Sequence, residues 1–231
     1  KWLQAKARYA VWPCNSEGDD IIIYDNNSDK NPLETLCNLR QQRKKAKSNN
    51  NICLSDFIAP ADFGKVDYMG GFSVSTGFGI EKHVKAFEEA GDDYNAILVQ
   101  ALGDRFAEAY AEYIHKKVRA QWGISEDFSS DDLILEKYQG IRPAPGYPAC
   151  PDHNEKLKIW QALDIENKLG VKLTENYAMT PNSSVCGYIF SNPDSKYFKV
   201  GTIGKDQAEF YCKQTQLSQE RLISIGVSVK I

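Results

Sequence analysis

Hydrophobic and polar positions alternate over short runs in the first third of the chain. Residues 7–12, 21–24 and 72–75 are apolar or alternating and rich in branched and aromatic side chains, the pattern of β-strands. Turn chemistry separates them at 16–20, around Gly18, and at 25–29, around Asn26 and Asn27. A polar, basic stretch from Arg40 to Asn51, carrying Arg43, Lys44, Lys45 and Lys47, reads as a solvated loop. The period then changes. Asp92 and Asp93 suit a helix N-terminus, and a helical pattern runs from them to about Trp122, with Gly123 as its stop. At about 100° per residue, Leu98, Leu102, Phe106, Ala109 and Tyr113 share one narrow sector and are predicted to form the buried stripe. Shorter helices are predicted over 131–138 and 152–169. The second is closed by Gly170 and opened by Asp152 and Glu155 in the manner of a capping box. Strand patterns return at 185–190 and 197–200, and a last helical segment starts at Lys205. Strands, helices and strands again, without regular alternation, predict an α+β domain. Its expected form is a mainly antiparallel twisted sheet with flanking helices, including one long helix near 92–122.

Composition narrows the class. With 231 residues, 42% hydrophobic and 26% charged, the chain can bury a core without staples and lacks the signature of disorder. A net charge of −3 argues against a dedicated nucleic-acid binder, and no apolar run is long enough to span a membrane. Six cysteines at irregular, distant positions fit reduced thiols in a cytoplasmic protein better than a disulfide framework. The chain starts at Lys1, its methionines are Met69 and Met179, and no leader pattern opens it, so it is expected to be a piece of a longer protein.

Several constellations are too sparse to carry chemistry. Asp104, Glu108, Glu112 and His115 share a sector beside the predicted stripe. Glu112 and His115 match half of a di-metal carboxylate site, but no second Glu-x-x-His element exists, so a solvated or partner-facing polar face is expected. Cys150 and His153 are two ligands, too few for zinc. Gly70, Gly71, Gly77 and Gly79 form no phosphate-binding motif and read as strand bends or turns. No nucleophile elbow supports a serine hydrolase.

The segment from Gly140 to His153 is different. It holds four of the nine prolines, at 143, 145, 148 and 151, and is expected to be stiff and extended, with few backbone donors to satisfy. Arg142 suits a bidentate carboxylate clamp, Gly146 a close approach of a ligand to the backbone, and Tyr147 an aromatic contact. A rigid crossover between two helices is the alternative reading of the same residues.

Residues 142–153, Arg-Pro-Ala-Pro-Gly-Tyr-Pro-Ala-Cys-Pro-Asp-His, resemble the S-adenosylmethionine-binding signature of the activation domain of cobalamin-dependent methionine synthase. Blocks at 12–20, 39–42, 56–60, 67–72, 92–95, 107–115 and 191–197 agree in order, so the resemblance covers essentially the whole chain. It implies a repair role. The domain presents S-adenosylmethionine to a cobalamin carried by another module of the protein, while a flavodoxin or flavodoxin-like reductase domain supplies an electron. The chain itself would supply position and orientation, with no catalytic residue and no metal of its own.

Carried over by position, the resemblance assigns Arg142 to the methionyl carboxylate, and Ala144, Gly146 and Tyr147 to the ligand's lining. Tyr197 matches the tyrosine after Ser-Lys, and Phe198 stands where some relatives have a second tyrosine. Glu108 and Glu136 match acidic positions near the sulfonium, and Asp104 matches an acid facing the cobalamin-carrying domain. Family domains begin upstream, with helical sequence and an Asp-Trp-Thr-Pro-like motif that does not occur here. The resemblance therefore implies that 1–231 is the C-terminal portion of the domain and, alone, inactive as a methyltransferase. A docking module for flavodoxin or the cobalamin domain, with a non-functional pocket, is the rival reading.

Overall fold

The computed structural model describes residues 3–26, 31–44, 50–124 and 127–230. Lys45, Lys47 and most of the expected turn at 25–29 lie outside them. The strands β1 (Gln4–Glu17), β2 (Asp20–Tyr24), β3 (Pro32–Leu36), β4 (Asp67–Phe78) and β7 (Ser184–Ile189) form a sheet in the order β3-β2-β1-β4-β7. The β1–β2 and β2–β3 ladders are antiparallel, so the α+β expectation holds. The β1–β2 hairpin closes at Gly18, whose φ of 60° suits a residue without a Cβ, and its register sets Cys14 opposite Ile23, both buried. β4 is buried from Met69 to Gly77, as expected of a strand covered on both faces. The chain divides into two compact units, described separately: one of 1–10, 71–138 and 159–187, the other of 11–70, 139–158 and 188–231.

In the first unit, α1 (Ile80–Glu89) follows Gly79 and packs on α2 (Asp93–Gln121). The sequence pattern did not predict α1, because its cap is a glycine and only Ile80 is buried along it. α2 matches the long helix expected near 92–122. The Asp92 side chain accepts from the Asn95 backbone N–H at 3.1 Å, and Trp122 ends the helix. Its buried face is not the one expected. Leu98, Leu102, Phe106 and Tyr113 are 40–51% exposed and Ala109 is exposed, whereas Ala96, Gly103, Ala107, Ala111, Ile114 and Val118 are buried. Small residues let the helix backbone approach its neighbours, and that close packing selects the face. A Cβ at Gly103 would overlap Ile80 and the Ser183 hydroxyl. Gly103→Ala is expected to cost about 1–3 kcal/mol by overpacking, more than the roughly 1 kcal/mol that alanine's helix propensity returns. The check is a fall in melting temperature; an unchanged or raised value would show that the seam can widen.

Two further helices are shorter than predicted. α3 covers Ser130–Ile134, not 131–138, because the chain turns at Glu136 with φ 48°. The 152–169 helix is broken into a 3-10 turn at His153–Glu155, α4 (Lys156–Ala162) and α5 (Ile165–Leu169), with Asp164 left-handed at φ 50° between them. Gly170 does cap α5. In the first unit β5 (Lys172–Leu173) pairs with β6 (Met179–Thr180).

In the second unit, β8 (Thr202–Ile203) pairs in parallel with β9 (Ser228–Val229) beside α6 (Lys205–Thr215) and α7 (Gln219–Ser224). Their core gathers Leu39, Val200, Ile203, Ala208, Tyr211, Leu222 and Val227. Residues 197–200 are not a strand: they pair with the proline-rich segment, which lacks the donors for a ladder. The start of the 40–51 stretch is not solvated either. Arg40 pairs with Asp19 and Asp56 at 2.7 Å each, and Gln41 is buried. Among the described residues, no helix is long and apolar enough to cross a membrane. All six cysteines are free thiols.

Candidate functional site

The proline-rich segment is extended only at its start. Ile141 bridges Phe190 through two backbone hydrogen bonds of 3.1 and 2.9 Å, and the Tyr188 N–H donates to the Pro143 carbonyl at 2.9 Å. The chain then reverses: the Tyr147 N–H donates to Ala144 at 3.2 Å, the Gly146 N–H to Cys150 at 2.8 Å, and the Cys150 N–H to Tyr147 at 2.9 Å. This corrects the expectation of a fully extended loop. Prolines donate nothing and here serve as acceptors, the Pro148 carbonyl taking the Val200 N–H at 2.9 Å. The result is a small hairpin tip with Tyr147 63% exposed.

Tyr197 meets the same loop. Its hydroxyl accepts from the Arg142 backbone N–H at 3.1 Å, which leaves the guanidinium outside that bond. Asn192 shapes the approach by accepting from the Asp194 and Ser195 N–H groups at 2.9 and 3.0 Å. Arg142, Ala144, Gly146, Tyr147 and Tyr197 thus come together within the second unit. Phe198 follows Tyr197, but its ring turns inward, edge-on to Phe57 at 6.4 Å and against the unit's core. The neighbour of Tyr197 is therefore a packing residue.

Gly146 has φ 96°, and the space that a Cβ would fill is taken by the His153 imidazole. The expected role of this glycine, close approach of a ligand, is filled on that side by the protein's own ring. Burial, with Lys156 and Arg221 nearby and against the pull of Asp152, holds His153 below its usual pKa. His153 therefore rests neutral beneath the turn at pH 7. Among the described residues no group of three potential metal ligands occurs, and Cys150 and His153 belong to the packing of this turn.

A buried polar network anchors the far end of the segment, and sequence reasoning missed it. Asp152 accepts from the Asn154 N–H at 2.8 Å and from the Tyr211 hydroxyl at 2.9 Å. Glu155 accepts from the Cys37 N–H at 3.0 Å and from Lys158 at 2.7 Å. The capping-box reading of Asp152 and Glu155 is thus wrong: Glu155 reaches the end of β3, not back to Asp152. The available signal was a lone acid and a lone tyrosine far apart in sequence, which only the fold brings together. Burial pushes Glu155 up to about 7, against Lys158, and pushes the Cys150 thiol far above its usual range.

Glu108, Glu136 and Asp104 lie in the first unit. Glu108 is exposed on α2, and Glu136 is exposed in the left-handed turn after α3. Asp104 accepts from the Ser183 hydroxyl at 2.6 Å. Glu112 and His115 are absorbed into structure rather than solvated. The Tyr138 hydroxyl donates to Glu112 at 2.9 Å, His115 stacks edge-on with Tyr138 at 5.0 Å, and Arg119 lies 4.0 Å over the same ring. Arg119 is 2% exposed and 3.9 Å from Glu112.

A family model described as vitamin B12 dependent methionine synthase, activation domain, matches residues 1–216. A crystal structure of the MetH reactivation domain bound to AdoHcy superposes with a TM-score of 0.93 at 45% identity, over 98% of this chain and 71% of that one. The chain belongs to the activation-domain family of vitamin B12-dependent methionine synthase.

Proposed function

We propose that this chain binds S-adenosylmethionine at the 140–153 loop and offers it to the cobalamin-binding module of methionine synthase for reductive reactivation. The observation that carries the reading is the joining of Arg142 and the Gly146–Tyr147 turn to Tyr197 within one unit, in a family whose relative holds AdoHcy. These residues fit the ligand: a guanidinium for the methionyl carboxylate, a hairpin tip with turned backbone, and an exposed aromatic ring beside it. When bound, the sulfonium supplies an electrophilic methyl group. The chain's own part is to bind and orient, with Arg142 fixing one end and the rigid turn losing little entropy on binding. Glu108 and Glu136 are assigned to charge stabilisation of the sulfonium and Asp104 to the cobalamin-carrying module.

The methyl acceptor is carried by another module, so the chain alone is expected to be inactive as a methyltransferase. We assign the electron supply to a flavodoxin or flavodoxin-like domain and the setting to the cytoplasm. Calorimetric titration with S-adenosylmethionine tests the binding reading. Saturable one-to-one binding supports it; absence of heat at millimolar ligand would remove it from this chain.

A further inference from the structure

Cys37 follows the last residue of β3, and Lys158 lies in α4. The fold brings these side chains together across 121 residues: the Lys158 Nζ donates to the Cys37 Sγ at 3.3 Å. Glu155 completes the group. One of its carboxylate oxygens accepts from the Lys158 Nζ at 2.7 Å, and the other accepts from the Cys37 backbone N–H at 3.0 Å. The amine nitrogen is thus held with a sulfur on one side and a proton acceptor on the other. The thiol is only 6% exposed, but it is not sealed. Cys37 and Lys158 both line a recess of about 450 Å³, with Pro32, Thr35 and Gln214 around them. A molecule the size of hydrogen peroxide enters such an opening.

We infer that Cys37 and Lys158 are a site of oxidative modification, joined by a peroxide into a covalent sulfur–nitrogen cross-link, a sulfenamide. In the first step the Cys37 sulfur attacks one oxygen of hydrogen peroxide and the O–O bond breaks. The second oxygen leaves as water with the thiol proton. Sulfur is oxidised by two electrons to the sulfenic acid, and the peroxide is reduced. In the second step the Lys158 ammonium passes one proton to the Glu155 carboxylate, and the freed nitrogen pair attacks Sγ. The S–O bond breaks, and the hydroxyl leaves as water with a further N–H proton. Thiol, ammonium, carboxylate and peroxide thereby become a sulfenamide, a carboxylic acid and two waters. Burial, then Glu155 and Asp20, raise the Cys37 thiol to about 11 against the pull of Lys158. Burial opposes the Lys158 charge, but Glu155 and Cys37 outweigh it and hold the ammonium. Both reacting groups therefore rest protonated at pH 7, and the cross-link forms faster as pH rises. It ties the end of β3 to α4 and removes the cation beside Glu155, at the base of the ligand loop. The inference does not depend on the ligand reading.

The experiment exposes the 231-residue chain to hydrogen peroxide at pH 7 and pH 9, for wild type and Lys158→Arg. Trypsin digestion at neutral pH without reductant is followed by mass spectrometry. In wild type the expected product is peptide 31–40 joined to peptide 157–168, uncleaved after Lys158 and about 2 Da below the sum of the two. It is expected to accumulate about tenfold or more faster at pH 9 than at pH 7, and dithiothreitol is expected to separate the pair. Lys158→Arg is expected to give peptide 31–40 with added oxygen and no joined pair. The wild-type result decides the matter whether or not the variant folds. Cys37 that gains only oxygen, or that pairs with another cysteine, overturns the cross-link. So does Cys37 that stays reduced while the partly exposed Cys212 is oxidised. A joined pair whose fragments keep an oxygen between sulfur and nitrogen overturns the sulfenamide.

Discussion

Arg142→Ala is expected to lower the affinity for S-adenosylmethionine about a hundredfold, on the order of 2.7 kcal/mol. Losing one partner of a charge-assisted, bidentate pair costs more than losing a neutral hydrogen bond, because the ligand's carboxylate must then be desolvated without compensation. The fold gives this substitution a clean interpretation. The Arg142 backbone N–H, not its side chain, donates to Tyr197, so alanine keeps that bond. The Ile141–Phe190 bridge and the Pro143 acceptor are also main-chain features and remain. Tyr197→Phe is the complement: it leaves the guanidinium and removes the hydroxyl acceptor, with an expected loss of only about 1 kcal/mol. Calorimetry on the two variants separates clamp from scaffold. Wild-type affinity in Arg142→Ala would sink the clamp without touching family membership.

The ligand loop was legible because its prolines and glycine constrain the backbone whatever surrounds them. Arg142, Gly146 and Tyr147 are neighbours in sequence, and a rigid turn needs little more than local chemistry. Its supports were not legible. Tyr197, Tyr211 and Cys37 reach the loop or its base, at Arg142, Asp152 and Glu155, across 55, 59 and 118 residues, and nothing local marks them as partners. The α2 error is instructive in the same way. Periodicity located an amphipathic helix, but it ranked faces by side-chain size. The face actually buried centres well over 100° further round, and its first half, Ala96, Gly103, Ala107 and Ala111, consists of alanine and glycine. Close backbone approach there outweighed the larger apolar area of Leu98, Leu102 and Phe106. The break at Asp164 was invisible for a related reason, since the apolar pattern of 156–169 continues through it. Phe198 stands between: its position beside Tyr197 was readable, but the direction of its ring was decided by Phe57.

Glu155→Gln is expected to be more stable than wild type at pH 8 by about 3 kcal/mol relative to any difference at pH 4.5. The sign follows from the carboxyl's proton. In the unfolded chain it is lost near 4.5, whereas burial keeps it on the folded chain until about 7. Below 4.5 both states are protonated and the group is neutral in the balance. Between 4.5 and about 7 the folded state binds the extra proton, so wild-type stability falls as pH rises and then levels off. Glutamine cannot titrate, keeps an oxygen for the Cys37 N–H, and lacks that slope. His153, held below its usual pKa, contributes a slope of opposite sign, but it is present in both proteins and cancels in their difference. Urea unfolding at pH 4.5, 6 and 8 reads the effect. A difference that stays flat would mean that Lys158, 2.7 Å away, keeps Glu155 ionised throughout. If the slope is found, the Glu155–Lys158 pair holds α4 and the end of β3 at a net cost in stability near neutral pH. The gain is then positional: the Cys150–Glu155 stretch that ends the ligand loop is fixed to the core at two carboxylates, Asp152 on Tyr211 and Glu155 on Cys37.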